Sequence, residues 1–206
     1  MTRTRSTHLA LLVVLLSPMA ANGDLIEIWQ SDSALNNLAD AEALIASGAA
    51  DFTNNHSGPI DFDDLGDLTR GLSNINDPWP GNVNTDFAAR ITGSFDMVAA
   101  AVIEMFINHD DGARLTVNGT TIYEFFGLTD NVTGGGAVAL NAGENLVEIL
   151  FFERGGGASL EFYAGPVGSG ANPDTLAGLR TIPEPGTLAL LCLGLVGMAA
   201  LRRKTV

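Results

Sequence analysis

Apolar and polar residues alternate through much of the chain in the way that half-buried β-strands require. The clearest case is segment 87–96, where Phe87, Ala89, Ile91, Gly93 and Phe95 alternate with polar or small neighbours. Further segments with strand-like apolar content are 25–30, 60–63, 98–108, 113–117, 120–126, 137–140, 146–153 and 159–164. Many short strands separated by Gly-rich turns predict an all-β fold, an antiparallel sandwich or barrel.

One substantial helix is predicted near the start of this region. Its apolar residues recur at helical spacing, at Leu35, Leu38, Ala41, Leu44 and Ile45. Ser31 or Ser33 is expected to cap its N-terminus, and Gly48 to follow its C-terminus. The later stretch Gly134-Gly135-Gly136 is expected to lie in a polar loop.

The segment 109–119 combines turn chemistry with an acidic pair. Asn118-Gly119 is typical of a type I′ hairpin turn, since both central positions need a positive φ. Asp110 and Asp111 precede Gly112 at the other end of the same strand. The pair is therefore expected on a loop that the sheet holds rigidly.

The two ends of the chain have the character of targeting segments. Residues 1–23 have a basic start, an apolar centre and Ala21-Asn22-Gly23, as in a secretory signal peptide. An N-terminal membrane anchor is the alternative, but the apolar run is short for a membrane span. Residues 187–201 form a second apolar run before Arg202, Arg203 and Lys204, which predicts a transmembrane helix with a cytoplasmic basic tail. Residues 24–166 are the predicted domain, and 167–182 a linker.

The predicted exported region is strongly acidic. It carries 23 acidic residues between Asp24 and Asp174 but only five arginines and no lysine. This charge repels nucleic acid and anionic lipid and favours cations, although it also serves solubility. The single cysteine, Cys192, lies in the C-terminal apolar run, so the domain has no internal disulfide.

Two acidic groups are candidates for calcium chemistry. Ca²⁺ takes six to eight oxygen ligands, so Asp110 and Asp111 are the start of a site; the alternative is that Asp111 caps its own turn. A second run lies at Asp61, Asp63, Asp64 and Asp67. Leu65 and Leu72 stand where an EF-hand needs an oxygen ligand and a Glu, so a solvated acidic turn is predicted.

Other chemistry finds less support. Trp79, between two prolines, is a candidate sugar platform, and the alternative is a buried plug over one end of the sandwich. His56 and His109 are the histidines outside the signal segment. No nucleophile motif or metalloprotease His pair accompanies them, which argues against an enzyme.

The C-terminal segment 183–206 resembles the PEP-CTERM sorting signal. The resemblance lies in Pro183-Glu184-Pro185-Gly186, then the apolar run, then the basic triplet 202–204. It implies recognition by an exosortase, cleavage near Pro183–Pro185, and transient anchoring in the inner membrane of a Gram-negative bacterium. An ordinary tail anchor is the alternative.

The body, from Asp24 to about Ala164, resembles the PA14 domain. The matching segments are 110–115 with 117–119, 140–145 before a strand, and 151–158 before the last strand. The resemblance implies a β-sandwich used for carbohydrate binding or other interactions. In lectin members, adjacent aspartates matching Asp110 and Asp111 bind Ca²⁺, and the ion holds sugar hydroxyls. Asp130 and Asn131 are candidates for ligands from a second loop.

Two hypotheses of function follow. The first is an exported, non-catalytic module at the cell surface or in the extracellular matrix, which binds polysaccharide with Ca²⁺ as candidate cofactor. The second is a structural surface or biofilm-matrix protein that uses the same sandwich without a small ligand.

Overall fold

Two antiparallel sheets build the domain. The computed structural model describes residues 24–63, 79–83 and 85–168. The strands of this part are β1 Asp24–Gln30, β2 Phe52–His56, β3 Asp61–Asp63, β4 Phe87–Met97, β5 Ala101–Asp110, β6 Ala113–Val117, β7 Thr120–Phe125, β8 Val132–Leu140, β9 Gly143–Glu153 and β10 Ser159–Pro166. They are accompanied by one α-helix, α1 Leu38–Ser47, and a short 3-10 helix, Pro80–Asn82. The larger sheet has the order β2-β1-β4-β9-β6-β7, and the smaller has the order β3-β10-β5-β8.

The alternating apolar residues of the two sheets face each other and form the core. Fully buried members include Ile28, Ile91, Met105, Leu115, Ile149 and Leu160. Trp79 packs into this core, with its ring centroid 4.8 Å from that of Phe151, and its Nε1 donates a hydrogen bond of 3.2 Å to the carbonyl of Ala158. Trp79 is therefore the buried plug of the sequence analysis. Its ring is 4% exposed, so it offers no surface platform to a sugar.

The helix covers the outer face of the larger sheet. Leu38 and Ala41 pack there against Ala88, Leu150 and Phe152 in a second apolar cluster. This explains why β9 is apolar on both faces in its second half.

The expected N-cap of the helix was wrong. Asn37 caps α1 by accepting a hydrogen bond from the backbone N–H of Asp40, at 3.1 Å. Ser31 instead bonds the neighbouring backbone of Ser33. The loop before the helix is thus longer than the apolar spacing suggested.

Three other local expectations need correction. Gly134, Gly135 and Gly136 lie inside β8 rather than in a loop. The stretch 52–56, which is not among the strands predicted from the sequence, is strand β2, paired with β1. Asp61 and Asp63 are buried in β3, with 2% and 6% of their surface exposed, and do not form a solvated turn.

The hairpin prediction was correct. Asn118 and Gly119 have φ angles of 50° and 77°, as a type I′ turn needs, and they join β6 to β7. The turn and the acidic pair lie at opposite ends of β6, because β6 begins at Ala113, just after the pair, and ends at Val117, just before the turn.

The targeting segments lie outside the described residues. These are the predicted signal peptide 1–23, residues 169–182 of the linker, and the sorting segment 183–206 with its predicted helix 187–201. Asp64 and Asp67 of the acidic run are also outside them. None of the helices in the described ranges has the length and apolar character that crossing a membrane requires.

Candidate functional site

Three buried carboxylates meet where β5 and β9 end. Asp110 is the last residue of β5, Asp111 follows it through a cis peptide bond, and Glu153 is the last residue of β9. They are 7%, 5% and 0% exposed, respectively. One ligand oxygen from each lies within 4.8 Å of the others. The acidic pair is therefore accompanied by a third carboxylate from a distant part of the chain.

Hydrogen bonds hold Asp111 between two loops. Its Oδ1 accepts from the backbone N–H of Thr129, and its Oδ2 accepts from that of Arg154, both at 3.0 Å. Asp111 thus joins the loop after β7 to the end of β9, instead of capping only its own turn.

Glu153 has its own backbone partner. One of its oxygens accepts a hydrogen bond from the N–H of Gly155, two residues later. This bond orients the carboxylate towards Asp110 and Asp111 at the start of the loop 154–158. Carboxylate oxygens carry two lone pairs each, so these bonds leave capacity for a metal ion.

Gly112 allows the close packing behind the acidic pair. A Cβ atom there would lie 2.3 Å from Cε1 of Phe152 and 2.8 Å from the carbonyl oxygen of Gly127. Its own carbonyl accepts a hydrogen bond from the N–H of Phe152, at 3.0 Å. Any side chain at 112 would push the acidic pair away from β9.

His109 supports the site from the core side. It is fully buried, its Nδ1 contacts the carbonyl oxygen of Asp111, and its Nε2 lies 3.1 Å from the hydroxyl of Tyr123. Burial lowers the pKa of His109, although the hydrogen bond and the charge of Asp111 act in the opposite direction. A neutral ring then bridges Asp111 and β7.

Asp110 and Asp111 line a groove of about 400 Å³. Besides Asp110 and Asp111, its walls are Leu128, Thr129 and Asp130 on one side and the glycines Gly155, Gly156 and Gly157 on the other. Leu128 is 41% exposed and gives the groove an apolar patch. Three glycines leave the second wall open to a ligand's close approach.

The second-loop candidates are placed differently. Asp130 lines the groove. Asn131 turns away: its carboxamide exchanges two hydrogen bonds of 2.8 Å with Asn108 and donates a third, of 3.0 Å, to Ser159 Oγ. Its amide therefore fixes the loop after β7 to the smaller sheet.

Glu153 was not among the candidate ligands predicted from the sequence. An acidic residue that ends an apolar strand and precedes three glycines was the available signal. Strand order was needed to bring it to the acidic pair, since Phe151 pairs with Ala113 across β9 and β6.

An oxygen-preferring divalent cation fits this donor set. Two oxygens bound to one Ca²⁺ at about 2.3–2.6 Å lie at most about 5 Å apart. The separation of 4.8 Å among the three carboxylates is within that limit. The acidic cluster is thus able to hold a metal ion.

Comparisons with known proteins agree with both resemblances. Residues 181–204 match the family model of the PEP-CTERM protein-sorting motif. No curated protein matches the sequence.

Solved structures share the fold of the domain. The PA14 domain of the MpAFP antifreeze protein is 19% identical and superimposes with a TM-score of 0.58, over 78% of this chain and 93% of that one. The PA14 sugar-binding domain of an RTX adhesin is 28% identical, with a TM-score of 0.55 over 70% and 90%. The A domain of epithelial adhesin 9 from Candida glabrata, solved with Galβ1-3GlcNAc, is 12% identical, with a TM-score of 0.54 over 72% and 83%. The chain therefore combines an antiparallel β-sandwich of the PA14 fold with a PEP-CTERM protein-sorting motif.

Proposed function

We propose that this protein is a non-catalytic carbohydrate-binding module of the cell surface, and that it binds its glycan through Ca²⁺ held by Asp110, Asp111 and Glu153. The observation that carries the proposal is the convergence of three buried carboxylates, two of which, Asp110 and Asp111, line one groove. The ion would supply open coordination positions for sugar hydroxyls. Asp130 and Leu128 would contact the sugar from the wall.

The comparisons support the class of function. A PA14 domain that is 28% identical is described as sugar-binding, and a C. glabrata adhesin domain of the same fold was solved with a disaccharide. The sorting motif at 181–204 supports export, processing by an exosortase, and a final place at the surface of a Gram-negative bacterium.

The path of the chain suits a surface module. Strand β10 begins beside the acidic cluster at Ser159, which pairs with Asp110, and ends at Pro166, which pairs with Ile103. Its eight residues span about 25 Å at ~3.3 Å per residue. The chain therefore leaves the sheet at the end far from the groove.

A glycan array with the full chain tests the proposal. We expect Ca²⁺-dependent retention that disappears in EDTA and in the double variant Asp110→Asn with Asp111→Asn. The matched control is Asp96→Asn with Glu144→Gln, because both residues are exposed and this pair of changes removes the same charge. Retention that survives in EDTA or in the double variant would refute the site.

The second candidate, a structural matrix protein without a small ligand, has a different outcome in the same experiment. It predicts no retention on any glycan. Ca²⁺ would then raise the melting temperature only as a structural ion.

A further inference from the structure

A second acidic group lies on the outer face of the smaller sheet. In β3, Phe62 points into the core, so Asp61 and Asp63 on either side of it share the opposite face. In β10, Leu160 likewise faces the core and Glu161 shares the outer face with the aspartates. All three acidic residues are nevertheless at least 94% buried.

Asp61 is the unusual member of this group. It is 2% exposed, and neither of its carboxylate oxygens has a hydrogen-bond partner. A buried carboxylate without a partner is strongly disfavoured unless a cation or a proton compensates it. The surroundings of Asp61 are therefore incomplete without a further species.

Glu161 makes the electrostatic problem sharper. It is the direct cross-strand partner of Asp61 in the antiparallel pair β3–β10. Side chains of such partners have Cβ atoms about 4.5–5.5 Å apart, and like charges there repel. Glu161 accepts a hydrogen bond from the hydroxyl of Tyr163.

Basic side chains of the described part are engaged elsewhere. Arg90 forms an ion pair with Glu27, and Arg114 forms ion pairs with Glu42 and Glu124. Arg154 follows β9 and is exposed. None of these arginines compensates Asp61.

We propose that Asp61 and Glu161 hold a second divalent cation of the Ca²⁺ class, with Asp63 at its side. The donors are oxygen atoms alone, which selects hard cations. The three carboxylates are not drawn together within 4.8 Å as those of the groove are. The cation is therefore bound chiefly by Asp61 of β3 and Glu161 of β10. Asp63 lies beside them, two residues further along β3.

The ion has a structural consequence. β3 is an edge strand of three residues that pairs only with β10 in the smaller sheet. A cation bridging Asp61 and Glu161 fastens this short edge to the sheet. It is separate from the groove, because Ser159 lies between Asp63 on one side and Asp110 on the other.

Counting bound ions in the full chain tests the inference. Equilibrium dialysis with radioactive Ca²⁺ is expected to show one ion fewer per chain in Asp61→Asn than in the wild type. Asp110→Asn with Asp111→Asn is expected to lose a different ion, so the two changes together remove both. Asp96→Asn, an exposed carboxylate, is the matched control and keeps the wild-type number.

The outcome is independent of the groove. An Asp61→Asn variant that loses one ion supports the second site, whether or not the groove binds a glycan. Where Asp61→Asn fails to fold, Glu161→Gln gives the same count. If either folded variant keeps the wild-type number of ions, the inference is wrong. It is also wrong if Ca²⁺ raises the melting temperature of the wild type by no more than it raises that of Asp61→Asn.

Discussion

The backbone N–H of Arg154 donates a hydrogen bond of 3.0 Å to Oδ2 of Asp111, which joins the end of β9 to the acidic pair. The other oxygen of Asp111 accepts an equal bond from Thr129, in the opposite wall of the groove. One carboxylate thus sets the spacing of both walls. A site held in this way needs little rearrangement when a ligand binds.

Asp111 is therefore expected to stabilise the fold even without metal. Asp111→Ala removes the acceptor of the N–H groups of Thr129 and Arg154, both in partly buried hydrogen bonds, and is expected to cost about 1–3 kcal/mol of unfolding free energy. Asp111→Asn keeps one acceptor oxygen and is expected to cost less. Urea denaturation of the full chain in EDTA measures both. Equal losses in the two variants would show that the carboxylate's hydrogen bonds are not the cause.

Glu153→Gln separates metal binding from the fold. Gln keeps an acceptor for the N–H of Gly155 but removes the charge beside Asp110 and Asp111. We expect Ca²⁺ affinity of the groove site to fall about 10-fold or more, with little change of stability in EDTA. Calorimetric titration with Ca²⁺ checks this, and Glu144→Gln is the matched exposed control. Unchanged affinity would remove Glu153 from the ligand set.

Gly112→Ala tests the packing behind the pair. The new methyl group would lie 2.3 Å from Cε1 of Phe152, so β9 and the acidic loop must separate. Overpacking of this kind costs about 1–3 kcal/mol. The control is Gly136→Ala in β8, where an added Cβ meets nothing within 4 Å. Similar stabilities of the two variants would contradict the crowding at Gly112.

The strand pattern was predictable because most strands have one face in the core and one towards solvent. Sequence reasoning failed where the backbone itself is closely approached. Two strand positions in β8 are occupied by glycine because there is no room for a side chain. A Cβ atom at Gly134 would lie 2.0 Å from the ring of Tyr123, and one at Gly135 would lie 2.1 Å from the carbonyl oxygen of Met105. Such tertiary contacts leave no periodicity in the sequence, so the glycines were interpreted as a loop.

The candidate site was predicted in part for a related reason. Asp110 and Asp111 are adjacent in the chain and adjoin a turn, so local chemistry identified them. Glu153 is 42 residues beyond Asp111 and joins them only through the pairing of β6 with β9. Asn131 was selected for its position near Asp130, but the polar partners that occupy it, Asn108 and Ser159, lie on other strands.

The pKa of His109 predicts a pH dependence of stability. Burial lowers this pKa below its usual 6.5, so the folded ring takes up a proton less readily than the unfolded one. The neutral ring therefore contributes its full stabilisation of the fold above pH 6.5. This contribution is lost as the pH falls from 6.5 towards the pKa of the folded state, by at most about 1.4 kcal/mol per pH unit.

The difference in unfolding free energy between the wild type and His109→Gln isolates this effect. Measured in EDTA across this pH range, the unfolding free energies of the two proteins should converge as the pH falls. Tyr123→Phe removes the hydrogen-bond partner of the ring but keeps the histidine, so it should retain the wild-type slope. A difference that stays constant with pH would mean that His109 does not titrate between the two states.

Variants of Asn118 separate the contributions that its backbone conformation and its side-chain hydrogen bonds make to the stability of the hairpin turn. Asn118 has a φ of 50°, its Oδ1 accepts from the N–H of Leu146, and its Nδ2 donates to Oδ1 of buried Asn145, both at 2.9 Å. Asn118→Gly keeps the favourable φ but loses the two bonds, and is expected to cost about 1–2 kcal/mol. Asn118→Ala adds strain of about 1 kcal/mol, because L-residues other than Asn, Asp and Gly rarely adopt this conformation. Urea denaturation measures both, and equal losses would show that the left-handed backbone contributes nothing.

Because the turn lies at the end of β6 far from the acidic cluster, neither variant should alter Ca²⁺ affinity.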